Sequence, residues 1–168
     1  NRWLSGNESD FDWTPFIVRA LQIEGIAHPT PDHVAERSQR IREIVTQVTS
    51  CDIYQTPPVD TTEKFDVIMS NYCLDAVTGE KAEWHAHIRN VKTLLKPGGT
   101  FIMSSLQQAA FSNFGETRFP NVYLVEDDIP EALLQAGFSE KSIRVVSAPA
   151  DHDLREYRGV IFASAVEY

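Results

Sequence analysis

The chain has 168 residues, 42% hydrophobic and 23% charged, which is the composition of one soluble globular domain and not of a disordered tail. With 15 Lys and Arg against 24 Asp and Glu the formal charge is −9, so phosphate backbones are repelled and a nucleic-acid partner is not expected. No run reaches the roughly 18 apolar residues of a membrane helix, no signal-peptide core follows Arg2, and Cys51 and Cys73 make neither a CxxC nor a zinc spacing, so no membrane partner is expected and a reducing, cytoplasmic setting with free thiols is.

Thr14-Pro15 and Thr30-Pro31 each read as an N-cap followed by proline at the first helical position. The first helix runs through Phe16–Ile23 and stops at Gly25, and the second carries Val34, Ile41, Ile44, Val45 and Val48 on one side. A strand is expected over Val48–Tyr54, closed by Pro57-Pro58. Another is expected over Phe65–Ser70, whose near-continuous apolar run suits burial on both faces of a parallel sheet. A helix over Glu80–Leu95 places Trp84, Ile88, Val91 and Leu95 at helical spacing, and Lys96-Pro97-Gly98-Gly99 ends it before a strand at Thr100–Ser104. Strand, helix and strand in this order form a right-handed βαβ unit. Gln107–Asn121 reads as a long functional loop or a short irregular helix. A helix over Asp127–Ala136, ended by Gly137, precedes two antiparallel strands at Ile143–Val146 and Val160–Val166. The fold class is α/β, an open sheet with helices on both faces.

Open α/β sheets bind ligands at the carboxyl ends of their strands, which singles out Cys51-Asp52-Ile53 and Ser70-Asn71-Tyr72-Cys73-Leu74-Asp75. An Asp there can accept from an exocyclic amine while the next Ile packs on a flat ring; equally, Asp52 can cap a turn and Ile53 fill the core. GxGxxG, a Walker A segment and a GxSxG elbow are absent from the chain, and Cys73 reads as inert packing. His85 and His87 stand two apart on a helix and make a poor metal pair, and Asp151-His152-Asp153 reads as a solvated acidic loop, so no metal is expected.

Phe11-Asp12-Trp13-Thr14-Pro15, Cys51-Asp52-Ile53, Cys73-Leu74-Asp75-Ala76, Leu94-Leu95-Lys96-Pro97-Gly98-Gly99 and Glu131–Phe138, in that order, resemble the nicotinamide, phenylethanolamine and thioether (indolethylamine) methyltransferase family, which uses S-adenosylmethionine. The resemblance implies a Rossmann-like class I methyltransferase fold and methyl transfer to nitrogen, less readily sulfur, of a small molecule. It implies Asp52 as the acceptor for the adenine amine, Ile53 as the apolar residue beside it, and Asn71 near the cofactor, with Cys51 and Ser70 completing that rim. Tyr72, Ser105, Asn121 and the loop around His152 then shape the acceptor side, and His152 or Asp151 could accept a proton.

Ser105 stands where the small-amine enzymes commonly have an Asp, and Ala109 and Ser112 replace a hydroxyl and an aromatic of the nicotinamide-type pocket, so nicotinamide is not the expected acceptor. The family's first two strands, its glycine-rich turn and its ribose-binding acid have no counterpart before residue 48. Residues 1–168 therefore resemble the C-terminal part of one methyltransferase domain, with the remaining half expected in the same or another polypeptide. The competing expectation is a non-catalytic module that completes a partner's sheet.

Overall fold

The two Thr-Pro steps start helices by different means. At Thr30 the hydroxyl accepts the His33 amide at 3.4 Å while His33 Nδ1 accepts the Thr30 amide at 3.0 Å, so two backbone donors that the helix leaves over are satisfied reciprocally. At Thr14 the expected cap lies one residue earlier: Trp13 is the N-cap, and Asp12 Oδ1 accepts the Thr14 amide at 2.9 Å. These helices are α1 (Thr14–Ile23) and α2 (Pro31–Ile44). The structure, a computed structural model, describes residues 3–4, 11–150 and 156–168. It divides into two compact units, Asn1–Ser50 and Cys51–Tyr168. In the first, Ile17 and Leu21 are buried along one side of α1, and Arg37 of α2 holds Glu24 through both guanidinium nitrogens at 2.7 and 2.5 Å.

The second unit runs β1 (Phe65–Asn71), α3 (Lys81–Lys92), β2 (Leu95–Gln107), β3 (Phe111–Phe114), β4 (Thr117–Pro120), α4 (Asp128–Gln135), β5 (Arg144–Pro149) and β6 (Gly159–Val166). Its main sheet has the order β1-β2-β6-β5, with β1 parallel to β2 and the other neighbours antiparallel. Gly98, at φ +78°, makes the turn that the expected βαβ unit needs between α3 and the body of β2. A Cβ on Gly99 would stand 2.8 Å from the Lys96 carbonyl oxygen and 3.1 Å from that of Phe65, so only glycine lets β1 and β2 close together there. Register assigns the faces. Ile68, Phe101, Met103, Ser105, Ile161, Ala163 and Ala165 share one side, where Trp84, Ile88 and Val91 of α3 and Ile129, Ala132 and Leu133 of α4 bury them.

Three sequence expectations are corrected. Val48–Tyr54 is not a strand: residues 45–52 carry no regular structure and 53–60 turn and bend. An extended segment needs a neighbour to take its backbone groups, and here the Asp52 amide instead donates to the Pro58 carbonyl at 2.9 Å within a closed loop. Next, β1 is not buried on both faces, because Val67 and Met69, on the side away from α3 and α4, are 54% and 61% exposed. Finally, the segment expected to be a loop or irregular helix holds the β3–β4 hairpin, whose strands pair Phe111 with Pro120 and Phe114 with Thr117 around Gly115. Phe114 and Phe119 meet edge to face at 5.6 Å there, the cross-strand aromatic contact that favours a hairpin.

Candidate active site

The carboxyl ends of β1 and β2 lie side by side, so the residues leaving them meet. Asn71 pairs in register with Ser104, and the Ser104 hydroxyl donates to Asn71 Oδ1 at 3.1 Å. Tyr72 turns the chain sharply at φ +50°, with its amide on the Ser104 carbonyl at 2.9 Å, and its side chain is 45% exposed. A non-glycine residue at positive φ is uncommon and strained outside turns, so this exit is held by its surroundings. Ser70 points the other way, toward the helix-covered side with Met103. Ser105 does so too: its hydroxyl is buried without a hydrogen-bond partner among the described residues. Side chains alternate along a strand, so the serine that faces Asn71 is Ser104. Sequence reasoning passed over Ser104, because a choice between adjacent serines needs the register.

The loop with Asp52 and Ile53 is bound to the segment that leaves β1. The Tyr54 hydroxyl donates to the Val77 carbonyl at 2.7 Å, and the Tyr54 ring stands edge-on to His87 of α3 at 4.7 Å. Burial pushes the His87 pKa below its ordinary value. The capping and packing reading of this pair is what the structure shows. Asp52 Oδ1 caps the turn by accepting the Tyr54 amide at 3.1 Å, and Ile53 packs on the core from a half-buried position. Yet the carboxylate is exposed, and its Oδ2 accepts from the Gln55 side-chain amide at 2.9 Å. An ionised carboxylate offers about four acceptor positions, so capping leaves room for one more amine. Cys51, also exposed, is a free thiol with its pKa raised, first by burial and then by the nearby charges of Cys73 and Asp52.

A second cluster surrounds Asp75, which the strand-exit reading included without assigning it a role. It is 1% exposed, its Oδ2 accepts the Leu106 amide at 2.8 Å, and its carbonyl accepts the Val122 amide at 2.9 Å. Burial raises its pKa above the ordinary carboxylate value, and its Oδ1 has no partner among the described residues. Its signal in the sequence was an acidic residue directly after Cys73 and Leu74. Asn121, one residue before Val122, is buried at 3%, donates to the Ser112 hydroxyl at 2.9 Å and also leaves its Oδ1 without a partner. Asp75 thus ties the end of β2 to the segment after the hairpin, and Asn121 joins that group. His152 lies outside the described residues. Among the described residues no cluster of three or more His, Cys, Asp or Glu is placed to hold a metal ion.

A family model described as the NNMT/PNMT/TEMT family matches residues 1–167. The chain belongs to this family. Among NNMT/PNMT/TEMT relatives, nicotinamide N-methyltransferase of Homo sapiens is 28% identical over 148 residues, 87% of this chain and 54% of the relative. Phenylethanolamine N-methyltransferase of Macaca mulatta is 27% identical over 170 residues, 98% of this chain and 59% of the relative. The chain therefore spans a little over half the length of these curated relatives. Among solved structures it is similar to Burkholderia thailandensis 1,6-didemethyltoxoflavin-N1-methyltransferase, with TM-score 0.54, 18% identity, and coverage of 83% of this chain and 58% of that one. It is also similar to the N-methyltransferase NodS of Bradyrhizobium japonicum, with TM-score 0.52, 19% identity, and coverage of 82% and 69%. This likeness establishes for the family member in hand the class I methyltransferase fold, with its mixed sheet and helices.

Proposed function

We propose that the whole protein transfers a methyl group from S-adenosylmethionine to nitrogen, or less readily sulfur, of a small molecule. Family membership supports the reading, and one observation carries it: an exposed carboxylate, Asp52, beside half-buried Ile53, on a loop bound to the exit of β1. Asp52 accepts the adenine amine, Ile53 covers the ring, and Cys51 and Asn71 complete the cofactor side, whereas Ser70 faces the helix-covered side and takes no part. Tyr72, Asn121 and His152 shape the acceptor side, while Ser105 is buried under the helices and Ser104 takes the place beside Asn71. When bound, the cofactor supplies an electrophilic methyl group on a sulfonium. This chain's residues bind, orient and exclude water, and holding two reactants in attacking geometry is worth about 7–11 kcal/mol of barrier.

The reading treats residues 1–168 as the C-terminal part of one methyltransferase domain working in the cytoplasm. It includes a further strand-bearing segment, in the same or another polypeptide, paired on the edge of β1. Among the described residues β1 pairs with β2 alone. That edge also favours a second reading, a non-catalytic module that completes a partner's sheet.

Calorimetric titration of the full-length gene product with S-adenosylhomocysteine tests the proposal. Binding is expected, and Asp52→Ala should weaken it by about tenfold or more, the scale of a hydrogen bond to a charged group. Binding unchanged by Asp52→Ala removes Asp52 from the site. A folded full-length protein that binds no S-adenosylhomocysteine favours the module. A screen of amines, N-heterocycles and thiols for methylated product then identifies the acceptor.

A further inference from the structure

The loop that presents Asp52 and Ile53 has no strand to hold it. Among the described residues its backbone hydrogen bonds are internal: Asp52 to Pro58, Gln55 to Asp52 and Thr61 to Val59. Pro57 and Pro58 supply no backbone donors of their own. Its register against the rest of the unit therefore depends on side chains.

One residue outside the loop grips it at two points. Asn90, half-buried on the flank of α3, donates through Nδ2 to the Ile53 carbonyl at 2.9 Å and accepts at Oδ1 from the Thr56 hydroxyl at 2.7 Å. Both ends of the carboxamide are used, one on each side of Tyr54. The Thr56 hydroxyl engages Oδ1 and so leaves the NH2 end to face the Ile53 carbonyl. The helix behind it is rigid, because Val91, next in the chain, and Ile88 are buried in the core.

Resting on the adenine reading of Asp52 and Ile53, we infer that Asn90 is a positioning residue for base selection: it sets the Asp52 carboxylate and the Ile53 side chain against a six-amino purine without touching the cofactor. A carbonyl held at 2.9 Å fixes the Ile53–Tyr54 peptide plane, whose Tyr54 amide donates to Asp52 Oδ1 at 3.1 Å, and a carboxylate discriminates between an amine and a carbonyl only when its direction is fixed. The Tyr54 hydroxyl on Val77 is the second tether, and it limits how far the loop swings once Asn90 is lost.

The test compares Kd for S-adenosylhomocysteine with Kd for its six-oxo analogue, S-inosylhomocysteine, in the full-length protein by calorimetry. The parent protein prefers the amino form by about a hundredfold or more, since the analogue turns an acceptor toward the carboxylate. Asn90→Ala is expected to narrow that ratio by about tenfold, the scale of a lost hydrogen bond. Thr56→Val narrows it less, and Thr56→Ser restores it. An Asn90→Ala protein that loses affinity for both ligands equally, or only melting temperature, overturns the inference, since a purely structural role lowers both together. If Asn90→Ala does not fold, an unchanged ratio in Thr56→Val overturns it. If Asp52→Ala leaves the ratio intact, the adenine reading itself falls, whereas a ratio lost in Asp52→Ala but kept in Asn90→Ala removes Asn90 alone.

Discussion

On the helix-covered side of the main sheet, Trp84, Ile88, Phe101, Met103, Leu133 and Ile161 are buried to 2% exposure or less and pack on one another through apolar surface, the Trp84 indole N–H having no hydrogen-bond partner among the described residues. The loop around Asp52 is held in the opposite way, by a carboxamide, a tyrosine hydroxyl and a threonine hydroxyl at 2.7 to 2.9 Å. Burial is non-directional and additive, so the first region tolerates adjustment in detail but not the loss of volume. Hydrogen bonds are directional and few, so the second region is cheap to loosen and costly to misalign. Scaffold stability and ligand geometry therefore rest on different residues.

The strongest way to break this contrast is a cavity. Ile88→Ala should cost about 2–5 kcal/mol of stability in urea unfolding, because the surrounding side chains relax only partly. If it instead changes S-adenosylhomocysteine affinity while stability holds, scaffold and site are not separable.

A smaller effect is expected at Asp75, a charge set among apolar neighbours. Its raised pKa means that the native state favours the protonated carboxyl. Its contribution is most favourable below the ordinary carboxylate range and is lost as pH rises through the raised value. Asp75→Asn should therefore be more stable than the parent at pH 7, with the gap closing as pH falls toward 4. A gap that does not change with pH in parallel unfolding curves would show that burial of the charge is not its cause.

The smallest stability effect belongs to the loop. Tyr54→Phe removes one exposed hydrogen bond to Val77 and should cost about 1 kcal/mol or less, while weakening S-adenosylhomocysteine binding by about two- to fivefold. Unchanged binding would leave Asn90 as the loop's working tether.

The βαβ unit was legible because each of its signals is local: the spacing of Trp84, Ile88 and Val91, the Lys96–Gly99 turn, and the near-continuous apolar run at Phe65–Ser70. The helix at Asp128–Gln135, its Gly137 stop and the antiparallel pair β5–β6 were read for the same reason. The hairpin escaped because Phe111, Ser112, Asn113 and Phe114 do not alternate strictly apolar and polar, and its strands are only 4 residues each. Of the two strand exits expected, only that at Asn71 leaves a strand; Asp52 and Ile53 stand on a closed loop, and their role is a proposal. Ser104 was not legible, since it needs register, and Asp75, though within the second exit, had no legible role, since that depends on its burial.

By itself the sequence determined the order and kind of most elements, the acidic charge and the motif series that marks the family, since these follow from periodicity, capping chemistry and residue identity over short spans. Only the tertiary structure decided that residues 48–54 close into a loop, that Ser104 and not Ser105 meets Asn71, and that Asn90 reaches 37 positions back to grip Ile53. Those outcomes depend on which neighbour supplies a hydrogen-bond partner and on which side of a strand a side chain falls. Both are properties of elements brought together, which no local window contains.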